Sequence, residues 1–358
     1  MAFAASRGRD DQRGREPGEV ARGDEHTGLL DRDPDAARDR GQDRVHEAVP
    51  GALLIAESDA NDPRLLRPPE AGGQGLDAVW ADDLHHALHA ALTGERAGYY
   101  QDFDGPRAVA EALQRPFAWP GRPRRFQGRR HGRAAPDLAP ERFVVCAQNH
   151  DQVGNRPLGE RLITLAGPGA AKLALGLVCL APTVPLLFMG EEYGEEAPFL
   201  YFVHHGDPDL VEAVRRGRAE EFAAFFAAGG APPDPQAEAT FRRSTLRIRE
   251  DTPLARWTRA LLALRPRLPR ERAVGCAGAT VTVEAGPWCL AAHFGVTPGR
   301  VPLPAGAWEI TLCSSWTEFG GPGGPTGPIP AGADLPLPGP ALAVLSRPGG
   351  DVGPPDGV

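Results

Sequence analysis

From residue 45 onward the chain carries two kinds of apolar pattern in alternation. Short continuous runs that end abruptly in carboxylates, amides or histidine occur at "ALLIAES" (52 to 58), "LDAVWADD" (76 to 83), "RFVVCAQNHD" (142 to 151) and "TVPLLFMGEE" (183 to 192). Unbroken apolarity over about five residues is what a strand buried on both faces requires. Between the runs lie helical patterns. "DLHHALHAALTG" repeats Leu84, Leu88 and Leu92 at i, i+4 and i+8, and "GAAKLALGLVCLA" follows a start at Gly167 and Pro168. Strands alternating with helices predict parallel βα units. Polar groups gathered where each strand ends are what a (β/α)8 TIM barrel presents at its C-terminal face. Four such strands, at Ala52 to Ala56, Ala78 to Ala81, Phe143 to Ala147 and Val184 to Phe188, predict an incomplete barrel over residues 45–269.

The period changes after the helical "LARWTRALLALRPRLPR". "ATVTVEAG", "WCLAAHFG", "WEITLCSS" and "ALAVLSRP" alternate with period two between Gly/Pro turns, so residues 270–348 are predicted to form a separate C-terminal antiparallel β-sandwich domain. The fold class is therefore α/β, an incomplete barrel followed by a sandwich. Residues 1–44 crowd charges among Gly, Asp and Arg with almost nothing apolar, a composition that predicts disorder, and the tail 349–358 is predicted to be loose.

Composition narrows the partners. The formal charge of -8 comes with interspersed signs, so there is no continuous basic face for nucleic acid and no polybasic membrane patch. Five cysteines without CxxC spacing read as free thiols rather than a disulfide or zinc framework. No run of about 18 consecutive apolar residues occurs, and "MAFAASRGRDDQRGR" lacks the apolar core of a signal peptide. No membrane contact is predicted, and a cytoplasmic location is expected. His85 and His89 share a helix face but have no evident third ligand, and "GEEYGEE" (190 to 196) lacks EF-hand spacing. No metal and no cofactor are predicted, and the oligomeric state is left open.

Glu57 and Asp151 stand at the ends of two of the strands. Singly, such carboxylates are commonly helix caps or solvated loop residues. Together they suit glycoside hydrolysis, which needs one carboxylic acid to protonate the leaving oxygen and another carboxylate to stabilise an oxocarbenium-like transition state. Trp80, Phe199, Tyr201 and Phe202 offer flat faces for pyranose rings, or are core.

At these residues a resemblance emerges. "LLIAESDAND" and "QNHDQVGNR" resemble the fifth- and seventh-strand motifs of the α-amylase superfamily, glycoside hydrolase family 13. "VWADDLHHALHAALTGERAGYY", "LLFMGEEYGEEAPFLYFVHHGDPDLVEAVRRGR" and "EATFRRSTL" resemble, more narrowly, the malto-oligosyltrehalose trehalohydrolases. The likeness covers residues 45 to about 348 and numbers the parallel strands 5 to 8. It implies hydrolysis of the α-1,4 bond joining a malto-oligosyl chain to a terminal trehalose, with malto-oligosyltrehalose or a related α-glucan as the partner molecule. By position it implies Glu57 as acid/base and Asp151 as the transition-state-stabilising carboxylate. It places Asp82, Asp83, His85, His86, Asn149, His150, Gln152 and Asn155 along the sugar cleft. A retaining enzyme also needs a nucleophilic carboxylate at the end of the fourth strand. The segment that stands there, "GEVARGDEHTGLLDRDPDAARDRGQDR", has no apolar strand before any Asp, so no nucleophile is assigned. The expectation is thus a C-terminal portion with the N-terminal barrel half missing. The alternatives are an amylase or branching enzyme of the same superfamily, and a catalytically dead glucan-binding remnant.

Overall fold

The computed structural model describes residues 41–126, 128–223 and 230–349. Of residues 1–44, predicted to be disordered, and 349–358, predicted to be loose, 1–40 and 350–358 lie outside the described residues, while 41–44 open a helix instead. The chain divides into a unit ending at Ala52 and a second beginning at Leu53. In the first, helix α1 (Gly41–Ala48) begins four residues before the predicted start at Val45.

In the second unit four parallel strands form one sheet. They are β1 (Ile55–Ala56), β2 (Ala78–Trp80), β5 (Phe143–Cys146) and β6 (Val184–Leu186), paired in the order β1-β2-β5-β6. Helices α2 (Asp83–Thr93) and α3 (Gly105–Gln114) and the hairpin of β3 (Arg122–Arg124) and β4 (Arg129–His131) stand between β2 and β5. After β5 come the short α4 (His150–Gly154) and the long α5 (Leu162–Leu180). Register places Val79 beside Phe143, and Trp80 beside Val144, which in turn faces Val184. Ala56, Val79, Phe143 and Val145 point to the face that packs on the helices. The opposite face is more open, with Ile55 48% exposed. Strand β1 is only two residues long although the apolar run before Glu57 is five, and Leu53 is 73% exposed.

Helix α5 is two helices joined at a bend, where Gly167 takes φ 83° and ψ 169° and Pro168 follows. By length and composition it could cross a membrane. Its apolar residues are not consecutive, because Thr164, Gly167, Pro168 and Lys172 interrupt the run. In the fold nearly every residue from Ala170 to Leu180 is buried, so it serves as a core helix. After β6 come α6 (Pro208–Glu221), α7 (Glu238–Arg243) and α8 (Pro253–Leu264). Trp257 of α8 is fully buried and donates its indole N–H to the Lys172 carbonyl of α5 at 3.0 Å.

The C-terminal strands are β7 (Ala273–Ala277), β8 (Thr280–Ala285), β9 (Trp288–His293), β10 (Gly299–Val301), β11 (Trp308–Cys313), β12 (Pro328–Ile329), β13 (Leu335–Leu337) and β14 (Ala341–Ser346). Six of them form an antiparallel sheet in the order β12-β11-β14-β9-β8-β7, and β10 pairs with β13 as a ribbon. Period two is visible in the packing. Cys289, Ala291, Ala343 and Leu345 face the ribbon's Val301, Leu335 and Leu337. Leu290, Ala292, Leu342 and Val344 face the other way and share one core with α2, α3, α5 and α8. The predicted strands are therefore present, but they differ from a separate sandwich: one face of the large sheet is covered by helices of the α/β part, and no boundary at 269/270 divides the core. Lys172 reinforces the join, its ammonium donating to the Ser314 and Phe319 carbonyls at 2.5 and 2.8 Å.

Candidate active site

Because β1, β2, β5 and β6 run parallel, their C-terminal ends lie along one edge of the sheet, where Glu57, Asp82 and the Asn149–Asp151 turn follow directly. His150 Nε2 stands 3.3 Å from an Asp151 carboxylate oxygen and 3.6 Å from one of Glu57. Donor atoms of all three residues lie within 4.8 Å of one another. Their side chains are about half exposed, at 54% for Glu57, 49% for His150 and 48% for Asp151. The edge of Trp80 meets the His150 ring at 5.9 Å and 72°. Asp82 is half-buried in the same field. Burial first, then the negative charges of Asp151, Asp83, Asp59 and Glu57, push its carboxyl up to about 7.

The turn carrying His150 and Asp151 is held by its own sequence. Asn149 is buried and caps α4, its side-chain oxygen accepting from the Asp151 N–H at 2.9 Å. Gln148, also buried, accepts from the Leu162 N–H at the start of α5. The residue types in this stretch are those predicted to face sugar, but the roles divide. Asn149 caps, and Gln152 is buried with its amide oxygen lacking a partner. Asn155 is exposed at the end of α4.

The residues of α2 divide in the same way. Asp83, predicted at the cleft, is buried and fully engaged, accepting from Asn61 (3.1 Å), the Ala118 N–H (2.8 Å) and Arg124 (3.0 Å). His85 is buried, and burial pushes its pKa down to about 3, so the ring is neutral. Its Nδ1 meets the Ala147 carbonyl at 2.7 Å and must therefore carry the proton, which leaves Nε2 to accept from the Tyr100 hydroxyl at 3.2 Å. Asp83 and His85 thus brace the site from behind and present no free polar atom to a sugar. His86 is half-buried among Tyr99, Tyr100 and Phe103, and burial, with the neighbouring His85, drives its pKa well below the usual value. His89 does not share a ligand position with His85, because its Nε2 is bound to Glu95 at 2.7 Å.

Two supporting groups escaped the sequence reading. Arg156 grips Glu95 with two hydrogen bonds of 2.8 and 2.9 Å. The bond from His89 and then Arg156 draw the Glu95 carboxyl down to about 2, fastening the end of α2 to the loop after α4. Arg161 is fully buried and donates to the Ala197 and Met189 carbonyls at 2.7 and 2.8 Å, tying that loop to the one after β6. The two loops meet so closely at Gly159 (φ +62°) that a Cβ there would lie 2.6 Å from the Phe199 backbone. The signal available was the arginine closing "QNHDQVGNR"; nothing in the sequence marked its partner 61 residues earlier.

The fold thus sets Glu57, His150 and Asp151 at the mouth of a parallel sheet that is backed by an antiparallel one. A solved structure assigned as an α-amylase of Salmonella typhimurium superposes with a TM-score of 0.69 at 35% identity, covering 85% of this chain and 53% of that one. In sequence, the chain is similar to the malto-oligosyltrehalose trehalohydrolases. It is 42% identical over 237 residues to that of Saccharolobus solfataricus, covering 66% of this chain and 41% of the relative. With that of Arthrobacter ramosus it is 44% identical over 262 residues, covering 70% and 45%. The chain therefore spans less than half the length of these curated relatives. No family model matches the chain.

Proposed function

We propose that this chain carries the acid/base side of a glycoside hydrolase site that cleaves the α-1,4 bond between a malto-oligosyl chain and terminal trehalose, releasing trehalose. The observation that carries the reading is the meeting of Glu57, His150 and Asp151 within 4.8 Å at the strand ends. Glu57 gives its proton to the glycosidic oxygen as the bond to the anomeric carbon breaks. Asp151 faces the positive charge that spreads over the anomeric carbon and ring oxygen, and His150 donates a hydrogen bond to a sugar hydroxyl. Five free cysteines, four of them buried, support a cytoplasmic setting.

A second reading has an observation in its favour: β1, which precedes Glu57, is the first parallel strand among the described residues, so no earlier described strand presents a carboxylate to the anomeric carbon. On that reading the chain binds α-glucan and turns nothing over. Incubating the purified chain with malto-oligosyltrehalose and separating the products decides between them. Trehalose release supports hydrolysis. Maltose or new branch points from starch would point to an amylase or branching enzyme instead. Saturable binding of malto-oligosaccharide with no product would favour the binding reading.

A further inference from the structure

We propose that Glu57, His150 and Asp151 form a site for a single Zn2+ ion that excludes the glucan from the cleft. The inference deepens the proposed reading by naming a regulator of the same site, and rests on that reading for its consequence.

The argument is first one of lengths. Zinc binds imidazole nitrogen and carboxylate oxygen at about 2.0–2.2 Å, so neighbouring ligands of a tetrahedral ion stand about 3.3–3.5 Å apart. His150 Nε2 lies 3.3 Å from Asp151 and 3.6 Å from Glu57, so both edges meeting at the histidine are close to this length. The third edge, bounded at 4.8 Å, closes by side-chain rotation, since both carboxylates are half exposed. An octahedral magnesium ion calls for edges of about 2.9 Å and oxygen ligands. The imidazole therefore selects against it.

Donor set and position agree. One imidazole and two carboxylates leave a fourth position for water on the exposed side, the open pattern of non-structural zinc sites. His150 and Asp151 come from one turn whose backbone Asn149 holds, and Trp80 abuts the His150 ring, so the imidazole is placed before the ion arrives. Of the other histidines nearby, His85 is committed to Ala147 and Tyr100 and His89 to Glu95. Once ligated, Glu57 can hold no proton for a leaving group, the charge of Asp151 is spent on the ion, and the space needed by the reacting sugar is filled.

The test is calorimetric titration of the full chain with zinc chloride, paralleled by Co2+ as a spectroscopic probe. One equivalent should bind, Co2+ should give the intense visible absorption of a four-coordinate ion, and magnesium in hundredfold excess should not displace it. His150→Ala, at a half-exposed position, should weaken binding at least tenfold and abolish the Co2+ band. His204→Ala and Cys276→Ser, both exposed and outside the site, should leave both unchanged. Bound zinc should weaken malto-oligosaccharide binding at least tenfold, and a chelator should restore it. Zinc binding that survives His150→Ala, is lost in either control, fails to appear in folded protein, or coexists with undiminished glucan binding overturns the proposal. None of these readouts needs turnover, so a chain that releases no trehalose would sink the hydrolytic reading and leave the zinc result standing.

Discussion

Glu57 and Asp151 are separated by 94 positions in the chain and by less than 4.8 Å at their donor atoms, and their roles predict different kinetic signatures. Glu57→Gln keeps the shape and removes the transferable proton, so kcat should fall about 100-fold or more with KM nearly unchanged. An unaltered kcat would take Glu57 out of the chemistry. Asp151→Asn should lower kcat and kcat/KM together, since the lost charge matters only in the transition state. Asp82 makes a different claim, about stability. Its folded pKa of about 7 stands above the unfolded value of about 3.9, so the folded chain binds the proton more tightly. Stability therefore falls as pH rises from about 4 through about 7. Asp82→Asn removes that slope and, allowing for solvent screening, should stabilise the chain by ~2 kcal/mol at pH 8 and hardly at all at pH 4. Urea titrations at the two pH values check this, and equal gains at both would rule out a charge origin. Glu57, His150 and Asp151 were legible because they follow apolar strands in long motifs. Asp83 and His85 lie buried for a geometric reason: on α2 each residue turns about 100° from the last, so neighbours in "DDLHH" diverge, some toward the sheet edge and some into the core.

Among the elements, α5 and α8 show what a pattern does and does not reveal. The apolar spacing of 169–181 predicts a helix, and a helix is there, yet its start at Leu162 and the bend at Gly167–Pro168 were not read, because a Gly-Pro pair looks like a beginning. The strand before Glu57 errs the other way. Five apolar residues predict five paired residues, but among the described residues only Ile55 and Ala56 pair, on one side alone, with β2. An apolar run records what a segment can bury, and backbone pairing depends on which neighbours stand beside it. The contact that fixes α8 on α5 is Trp257, fully buried, bonded to Lys172 and edge-on to Phe319 at 5.2 Å. Trp257→Ala should cost about 3–5 kcal/mol, the scale for removing a large buried aromatic. Denaturant unfolding measures it directly. A loss below about 1 kcal/mol would mean that α8 is not anchored there.

At the scale of the molecule, the period-two strands after residue 270 were legible, while their dependence on the helices was not, since alternation shows that a strand has two faces and does not name what covers each. Leu290, Leu342 and Val344 share a core with α5, so a fragment of residues 270–348 should lack a cooperative unfolding transition and expose apolar surface to a dye such as ANS. A sharp transition in that fragment would restore the separate domain. The shared core also has a consequence in time. Leu180 ends α5, and β14, whose Leu342 packs in the same core, begins roughly 160 residues later at Ala341. At a synthesis rate of about 5–20 residues per second, the apolar side of that helix leaves the ribosome roughly 10 to 30 seconds before its cover exists, so a nascent chain arrested between the two should be held by chaperones that release one arrested beyond Ser346.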